Sequence, residues 1–195
     1  MFKVIFCIII SYLLGNISGG MIFGKLLFNK DIRDYGSKNA GTTNALRVFG
    51  IKAGALTFIV DVLKSLLACF IGMKLLGLSG ILLAGIFVVI GHNWPIFLNF
   101  KGGKGIASSF GFIMFLDYKI AIVAIIILVI LTKYISLGSM LTTTLVLPIS
   151  YIFFGYRNIY VLLTFLFLAS LSIFRHNSNI IRLINGNENK IKIKK

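Results

Sequence analysis

Long unbroken apolar runs alternate with short stretches rich in glycine, lysine and small polar residues. The runs lie at about Phe2–Phe28, Ala53–Leu76, Leu78–Ile90, Ile106–Leu116, Ile120–Leu131, Leu137–Phe154 and Ile159–Phe174. They are continuous rather than alternating, so they predict helices and not the strands of a barrel. In lipid a backbone must satisfy its own hydrogen bonds, and helices do so within each run. The pattern predicts an all-α polytopic integral membrane protein with seven transmembrane helices. The fourth and fifth runs are short for the roughly 20 residues of a full span; five helices cross if those two do not. Six or seven spans take about 120–140 residues, which leaves a single membrane domain over 1–195.

The charges sort by side. With seven spans, one face of the membrane receives Lys25, Lys30, Arg33, Lys38, Arg47, Lys52, Lys101, Lys104, Lys133, Arg175, Arg182, Lys190, Lys192, Lys194 and Lys195. The other receives Lys3, Lys74, Lys119 and Arg157. The positive-inside rule makes the crowded face cytoplasmic, with the N-terminus outside and the C-terminus inside. The first run is read as a span and not as a removed signal, because no small-residue cleavage site follows it.

Composition agrees. The 195 residues are 58% hydrophobic and 13% charged, with a mean hydropathy of +0.98. A formal charge of +15 would suggest nucleic acid in a soluble chain. Here the basic residues sit between apolar runs, where the bilayer and anionic ligands explain them, and no nucleic-acid partner is expected. Cys7 and Cys69 lie in apolar runs and read as buried small hydrophobes, with no metal-ligand spacing. The acids are Asp31, Asp34, Asp61, Asp117 and Glu188. They form no carboxylate cluster of the kind a metal-dependent lipid phosphotransferase needs, and neither metal nor cofactor is expected. An anion transporter would want polar groups at mid-membrane; here only Asp61 and Lys64 lie deep, and their spacing predicts a structural ion pair.

Three polar stretches carry the candidate chemistry. In the first, Ser37, Asn39, Thr42, Thr43 and Asn44 surround Gly36 and Gly41, with Arg33, Lys38 and Arg47 nearby. Hydroxyls, amides and guanidinium groups are what phosphate recognition uses. The second runs from Gly91-His92-Asn93-Trp94-Pro95 to Phe100-Lys101-Gly102-Gly103-Lys104-Gly105. Glycines bring bare N–H groups close to an anion, two lysines neutralise it, and a helix start after Gly105 adds its positive end. The spacing is not that of a nucleotide P-loop. The third, Arg175-His176-Asn177-Ser178-Asn179-Ile180-Ile181-Arg182, places His176 and Asn179 on one face if helical, as it does Arg175, Asn179 and Arg182. Glu188 follows as a candidate structural partner of Arg175 or Arg182. Ser136 and Ser139 fall at the turn before the sixth run.

Taken together, these motifs resemble the bacterial acyl-phosphate:glycerol-3-phosphate acyltransferase family, PlsY, over nearly the whole chain. The resemblance rests on Asp31-Ile-Arg33 with Gly36-Ser37-x-Asn39-x-Gly41-x-Thr43-Asn44 and Arg47. It rests equally on Gly91-His92-x-x-Pro95 with Phe100–Gly105, and on Arg175-His176-x-x-Asn179-Ile180-x-Arg182-Leu183 with Gly186 and Glu188. Two departures stand out: Lys38 where the family carries glycine, and Ser18 where it carries proline. The His-x-x-x-x-Asp box of thioester-using acyltransferases is absent, since Phe97 follows His92 at that spacing and Ile181 follows His176.

The resemblance implies transfer of a fatty acyl group from acyl phosphate to the 1-hydroxyl of glycerol 3-phosphate at the cytoplasmic face of a bacterial inner membrane. The products are lysophosphatidic acid and phosphate, and the soluble enzyme that makes acyl phosphate is a candidate partner. It implies catalytic roles for Ser37, Lys104, His176 and Asn179. It implies substrate contacts from Arg47, Asn39, Asn44, Ser139, Lys101, Gly102, Gly103, Gly105 and His92, with Asp61, Lys64 and Glu188 structural. Ser37 and Asn39 with the Gly102–Gly105 turn are expected at the acyl phosphate. Arg47, Lys104, Ser139, His176 and Asn179 are expected at glycerol 3-phosphate.

Overall fold

The computed structural model describes residues 1–131, 134–153, 155 and 157–188. Lys133, the tail lysines Lys190, Lys192, Lys194 and Lys195, and Phe154 at the end of the sixth run lie outside the described residues. The chain divides into two compact units, Met1–Leu116 and Asp117–Lys195.

In the first unit, the run expected as one helix is two. α1 (Phe2–Gly15) ends at Asn16, whose side-chain amide donates back to the Tyr12 carbonyl at 2.6 Å. α2 (Gly19–Phe28) opens on Ser18, whose hydroxyl accepts the Met21 N–H at 3.4 Å. Asn and Ser compete with the helical backbone for hydrogen bonds and so favour caps over helix interiors. The expected loop 29–52 holds a 3₁₀ turn at Ile32–Asp34 and a short helix, α3 (Thr42–Phe49). That helix forms because it has an apolar side to bury: Ala45 joins Ile32 and Ala40, with Phe49 and Met21 packed against them.

The next two expected runs form two helical limbs of α4 (Ile51–Asn93), broken and folded back at Gly77. Gly77 has φ 60° and ψ −138°, a conformation that side chains resist. The limbs 51–76 and 78–93 close so tightly that a Cβ on Gly72 or Gly80 would overlap the other's carbonyl. α1 packs along α4, and the Tyr12 hydroxyl donates to the Trp94 carbonyl at 2.8 Å. A 3₁₀ turn at Ile96–Leu98 leads through the glycine–lysine stretch to α5 (Ile106–Leu116), which also packs on α4. Cys7 and Cys69 are buried and unbridged.

The second unit holds α6 (Tyr118–Leu131), α7 (Ile135–Phe153), α8 (Ile159–Arg175) and α9 (Asn177–Ile184), packed in sequential pairs. Asn158 caps α8, its carbonyl oxygen accepting the Tyr160 N–H at 2.9 Å. α8 and α9 meet at 59°, with His176 at the corner.

Among the described residues, three stretches are long and apolar enough to cross a membrane: Phe2–Phe28, Ile51–Leu98 and Ile135–Phe153. The bent α8–α9 pair makes a fourth if taken as one span. Large apolar side chains such as Ile9, Leu63, Leu67 and Phe70 stand exposed on these helices, as lipid contact requires.

Candidate active site

The first polar stretch is organised by Asn44. Its side chain is 1% exposed, and its NH₂ donates to the carbonyls of Ile32 (3.2 Å), Tyr35 (3.0 Å) and Asn39 (2.9 Å). Its carbonyl oxygen accepts the Ser37 N–H at 2.9 Å. Expected against phosphate, Asn44 instead spends its amide on four backbone partners and shapes the turn that presents Ser37. The Ser37 side chain is exposed on that turn and Asn39 is half-buried, its side-chain oxygen accepting the Gly41 N–H at 3.0 Å. Lys38, beside them, has φ 57°, so the turn keeps the left-handed step that glycine would take freely. Arg47 is exposed in the last turn of α3.

A latch that sequence reading missed joins this stretch to the next. The Arg33 guanidinium donates to both Asp31 carboxylate oxygens, at 2.7 Å from Nη2 and 3.0 Å from Nε, while Nη1 donates to the Leu98 carbonyl at 3.0 Å. These bonds from Arg33 outweigh partial burial and hold the Asp31 carboxyl below its ordinary range. The i,i+2 spacing has no helical meaning, so only the folded turn reveals the pair.

The 102–105 turn lies over the end of α4. The Gly103 N–H donates to the His92 carbonyl at 3.0 Å. A Cβ on Gly102 would strike that carbonyl, and one on Gly103 would strike the His92 ring. Lys104 is half-buried at this turn and Lys101 exposed beside it. His92, expected at substrate, is 4% exposed and stands behind the turn with Nδ1 2.8 Å from the Lys64 ammonium. Lys64 pairs with Asp61 at 2.9 Å; both are buried. Asn93, which sequence reading passed over, is fully buried, neither side-chain polar atom hydrogen-bonded among the described residues, its oxygen against Gly105.

In the second unit, Glu188 gathers polar groups of two helices, α7 and α9. It accepts from Asn179 Nδ2 at 2.7 Å, from the Ser136 hydroxyl at 2.9 Å and from Arg182 Nε at 2.8 Å. Burial alone would push its carboxyl up; these donors outweigh burial and hold it below the ordinary range. His176 is buried, with Nδ1 2.8 Å from the Ser172 carbonyl. The expected shared face of Arg175, Asn179 and Arg182 is broken, because α8 ends at Arg175 and the 59° corner separates it from α9. Ser139 is buried within α7, donating to the Ile135 carbonyl at 2.7 Å.

The family model described as glycerol-3-phosphate acyltransferase matches residues 5–186. The chain belongs to the glycerol-3-phosphate acyltransferase family. Among relatives of that family, the glycerol-3-phosphate acyltransferase of Finegoldia magna is 47% identical over 94% of this chain and 93% of its own. The one from Bacillus subtilis is 42% identical over 95% of this chain and 96% of its own. The crystal structure of PlsY, an integral membrane glycerol 3-phosphate acyltransferase, in its glycerol 3-phosphate form superposes with a TM-score of 0.90. It shares 32% identity and covers 97% of this chain and 96% of that one. Its lysophosphatidic acid form gives 0.87 at 31% identity. This acyltransferase family is thus reached both through sequence and through an all-helical fold of apolar helices.

Proposed function

We propose that this acyltransferase moves a fatty acyl group from acyl phosphate to the 1-hydroxyl of sn-glycerol 3-phosphate. The hydroxyl oxygen attacks the acyl carbonyl carbon, the bond from that carbon to the phosphate oxygen breaks, and inorganic phosphate leaves with lysophosphatidic acid as the other product. The hydroxyl proton goes to His176 or to an oxygen of the substrate phosphate. Family membership supports the reading, as do relatives crystallised with glycerol 3-phosphate and with lysophosphatidic acid. The observation that carries it is the 102–105 turn, where two glycines lie against His92 with Lys104 half-buried beside them, a glycine–lysine arrangement suited to an anion.

Acyl phosphate is an activated mixed anhydride, so the protein's work is positioning and electrostatics. Ser37 and Asn39 are assigned to the acyl phosphate head, and Lys104 neutralises charge that develops as phosphate leaves. Arg47 is assigned to glycerol 3-phosphate, as are Ser139, His176 and Asn179 in the second unit. Ser37 donates a hydrogen bond and is not an acyl-enzyme nucleophile, because no base is paired with it among the described residues. The topology proposed is seven spans: α1 with α2, the two limbs of α4, then α5, α6, α7 and α8. The charge bias supports an N-terminus outside and the polar stretches at the cytoplasmic face of the bacterial inner membrane, within reach of a soluble enzyme that supplies acyl phosphate.

Purified protein given an acyl phosphate and labelled glycerol 3-phosphate, with no thioester, should form labelled lysophosphatidic acid. Folded protein that forms none overturns the proposal. Arg47→Lys keeps the charge and loses the bidentate fork, so KM for glycerol 3-phosphate should rise about tenfold; unchanged kinetics exclude a direct contact.

A further inference from the structure

The Lys64 ammonium has more partners than charge neutralisation asks for. Asp61 Oδ1 at 2.9 Å already balances it. Yet Lys64 also donates to the Gly15 carbonyl at 3.0 Å and to the Ile17 carbonyl, at the break between α1 and α2, and lies 2.8 Å from His92 Nδ1. The carbonyls that end α1 have lost their helical partners, and in a membrane they need donors. Lys64 thereby ties the α1–α2 break to both limbs of α4. An ammonium only donates, so Nδ1 accepts, and a neutral imidazole then carries its hydrogen on Nε2. Asp61 Oδ1, 3.4 Å from Nδ1, is the further of the two neighbours. The His92 ring held in this way is the floor on which Gly103 rests, with Nε2 on the Gly103 side.

We propose that Lys64 and Asp61 are positioning residues for the anion-binding turn: acting through His92, they fix one ring tilt and one tautomer beneath Gly103. The inference rests on the reading of the 102–105 turn as a phosphate site. A purely neutralising pair would be replaceable, because apolar residues of similar volume substitute for buried ion pairs at little cost in stability. A positioning pair would not, because the ring would lose its donor and the turn its fixed floor.

The test is the double variant Asp61→Leu with Lys64→Met in the full chain, beside His92→Gln. His92→Gln keeps the ion pair and removes the ring. Both are measured for thermal midpoint in detergent, for KM and kcat with each substrate, and for inorganic phosphate affinity by titration calorimetry. Expected is a midpoint near wild type in His92→Gln and lowered in the double variant, where the Gly15 and Ile17 carbonyls lose their donor, with phosphate affinity weakened about tenfold in both variants, KM raised to match, and kcat changed about twofold or less. Folded variants with wild-type phosphate affinity overturn the inference. So does a parallel loss of kcat and affinity that follows the fraction of folded protein, or failure of both variants to fold, since either marks the network as structural alone. If wild-type protein makes no lysophosphatidic acid in the same assay, the proposed reaction fails, while phosphate affinity still decides the role of Lys64.

Discussion

Lys38 sits in the left-handed region at φ 57°, which costs an ordinary residue roughly 1–2 kcal/mol. Its side chain is exposed and takes part in no buried contact that would offset the strain. Lys38→Gly should therefore raise stability, by about 0.5 kcal/mol once the extra freedom of glycine in the unfolded chain is counted. A thermal midpoint in detergent that falls on this substitution would show that the lysine holds the turn by other means. Gly103 is the opposite case. A methyl group there meets the His92 ring, so Gly103→Ala must tilt either the ring or the turn. Its expected effect is a rise in KM of about tenfold for a phosphate substrate, with a thermal midpoint lowered by an amount equivalent to about 1–3 kcal/mol. Unaltered KM would detach the turn from substrate. At this scale the sequence was informative about residue type and uninformative about partners. Gly102, Gly103 and Lys104 are legible because a glycine–lysine cluster between apolar runs has few uses. The retreat of Asn44 and His92 behind the turns they support is not legible, because their partners Ile32, Tyr35 and Lys64 lie far off in sequence or face them only after folding.

At the scale of elements, the apolar runs located the helices closely, since continuous hydrophobicity is all a membrane helix needs. α5, α6, α7 and α8 begin and end within two residues of the runs that predicted them. What hydrophobicity does not mark is where a run breaks or where a polar stretch coils. The break at 16–18 depends on two caps inside an apolar stretch, and α3 depends on burying Ala45 against Ile32 and Ala40. The placement of α9 is likewise held from outside that helix, by Glu188, which ties Asn179 and Arg182 to Ser136 of α7. Its carboxyl is held below the unfolded value of about 4.3, so its contribution is fully present above that pH and is lost as pH falls through the lower folded value. Glu188→Gln should lower the thermal midpoint at pH 7, by an amount equivalent to about 1–3 kcal/mol. It should also flatten, without abolishing, the loss of stability below about pH 4, because Asp31 titrates in the same direction. An unchanged midpoint at pH 7 would show that α9 keeps its place without these bonds.

For the whole molecule, the distribution of charge makes the sharpest prediction. With seven spans, a reporter fused at the N-terminus should lie outside the cell and one at the C-terminus inside, and a tag inserted after Gly77 should be outside. Gly77 suits such a tag, because a side chain built there has nothing within 4 Å. Termini found on the same side would require an even number of crossings and would remove either α5 or α6 from the count of spans.

The spacing of Asp61 and Lys64 has a consequence for how the protein enters its membrane. They are three residues apart on one helix, so they can neutralise each other while the segment is still an isolated helix leaving the insertion machinery. His92 is reached only afterwards, when the hairpin at Gly77 closes. A lone lysine at bilayer depth costs about 2.5–3.5 kcal/mol to insert, so the local pair lowers the barrier at the one step when no tertiary partner is at hand. Asp61→Asn should then reduce the yield of membrane-inserted full-length chain more than the apolar double replacement does. Equal yields would mean that the partner for Lys64 is found only after insertion is complete. The charges that end up beneath the glycine turn travel there as a neutral parcel.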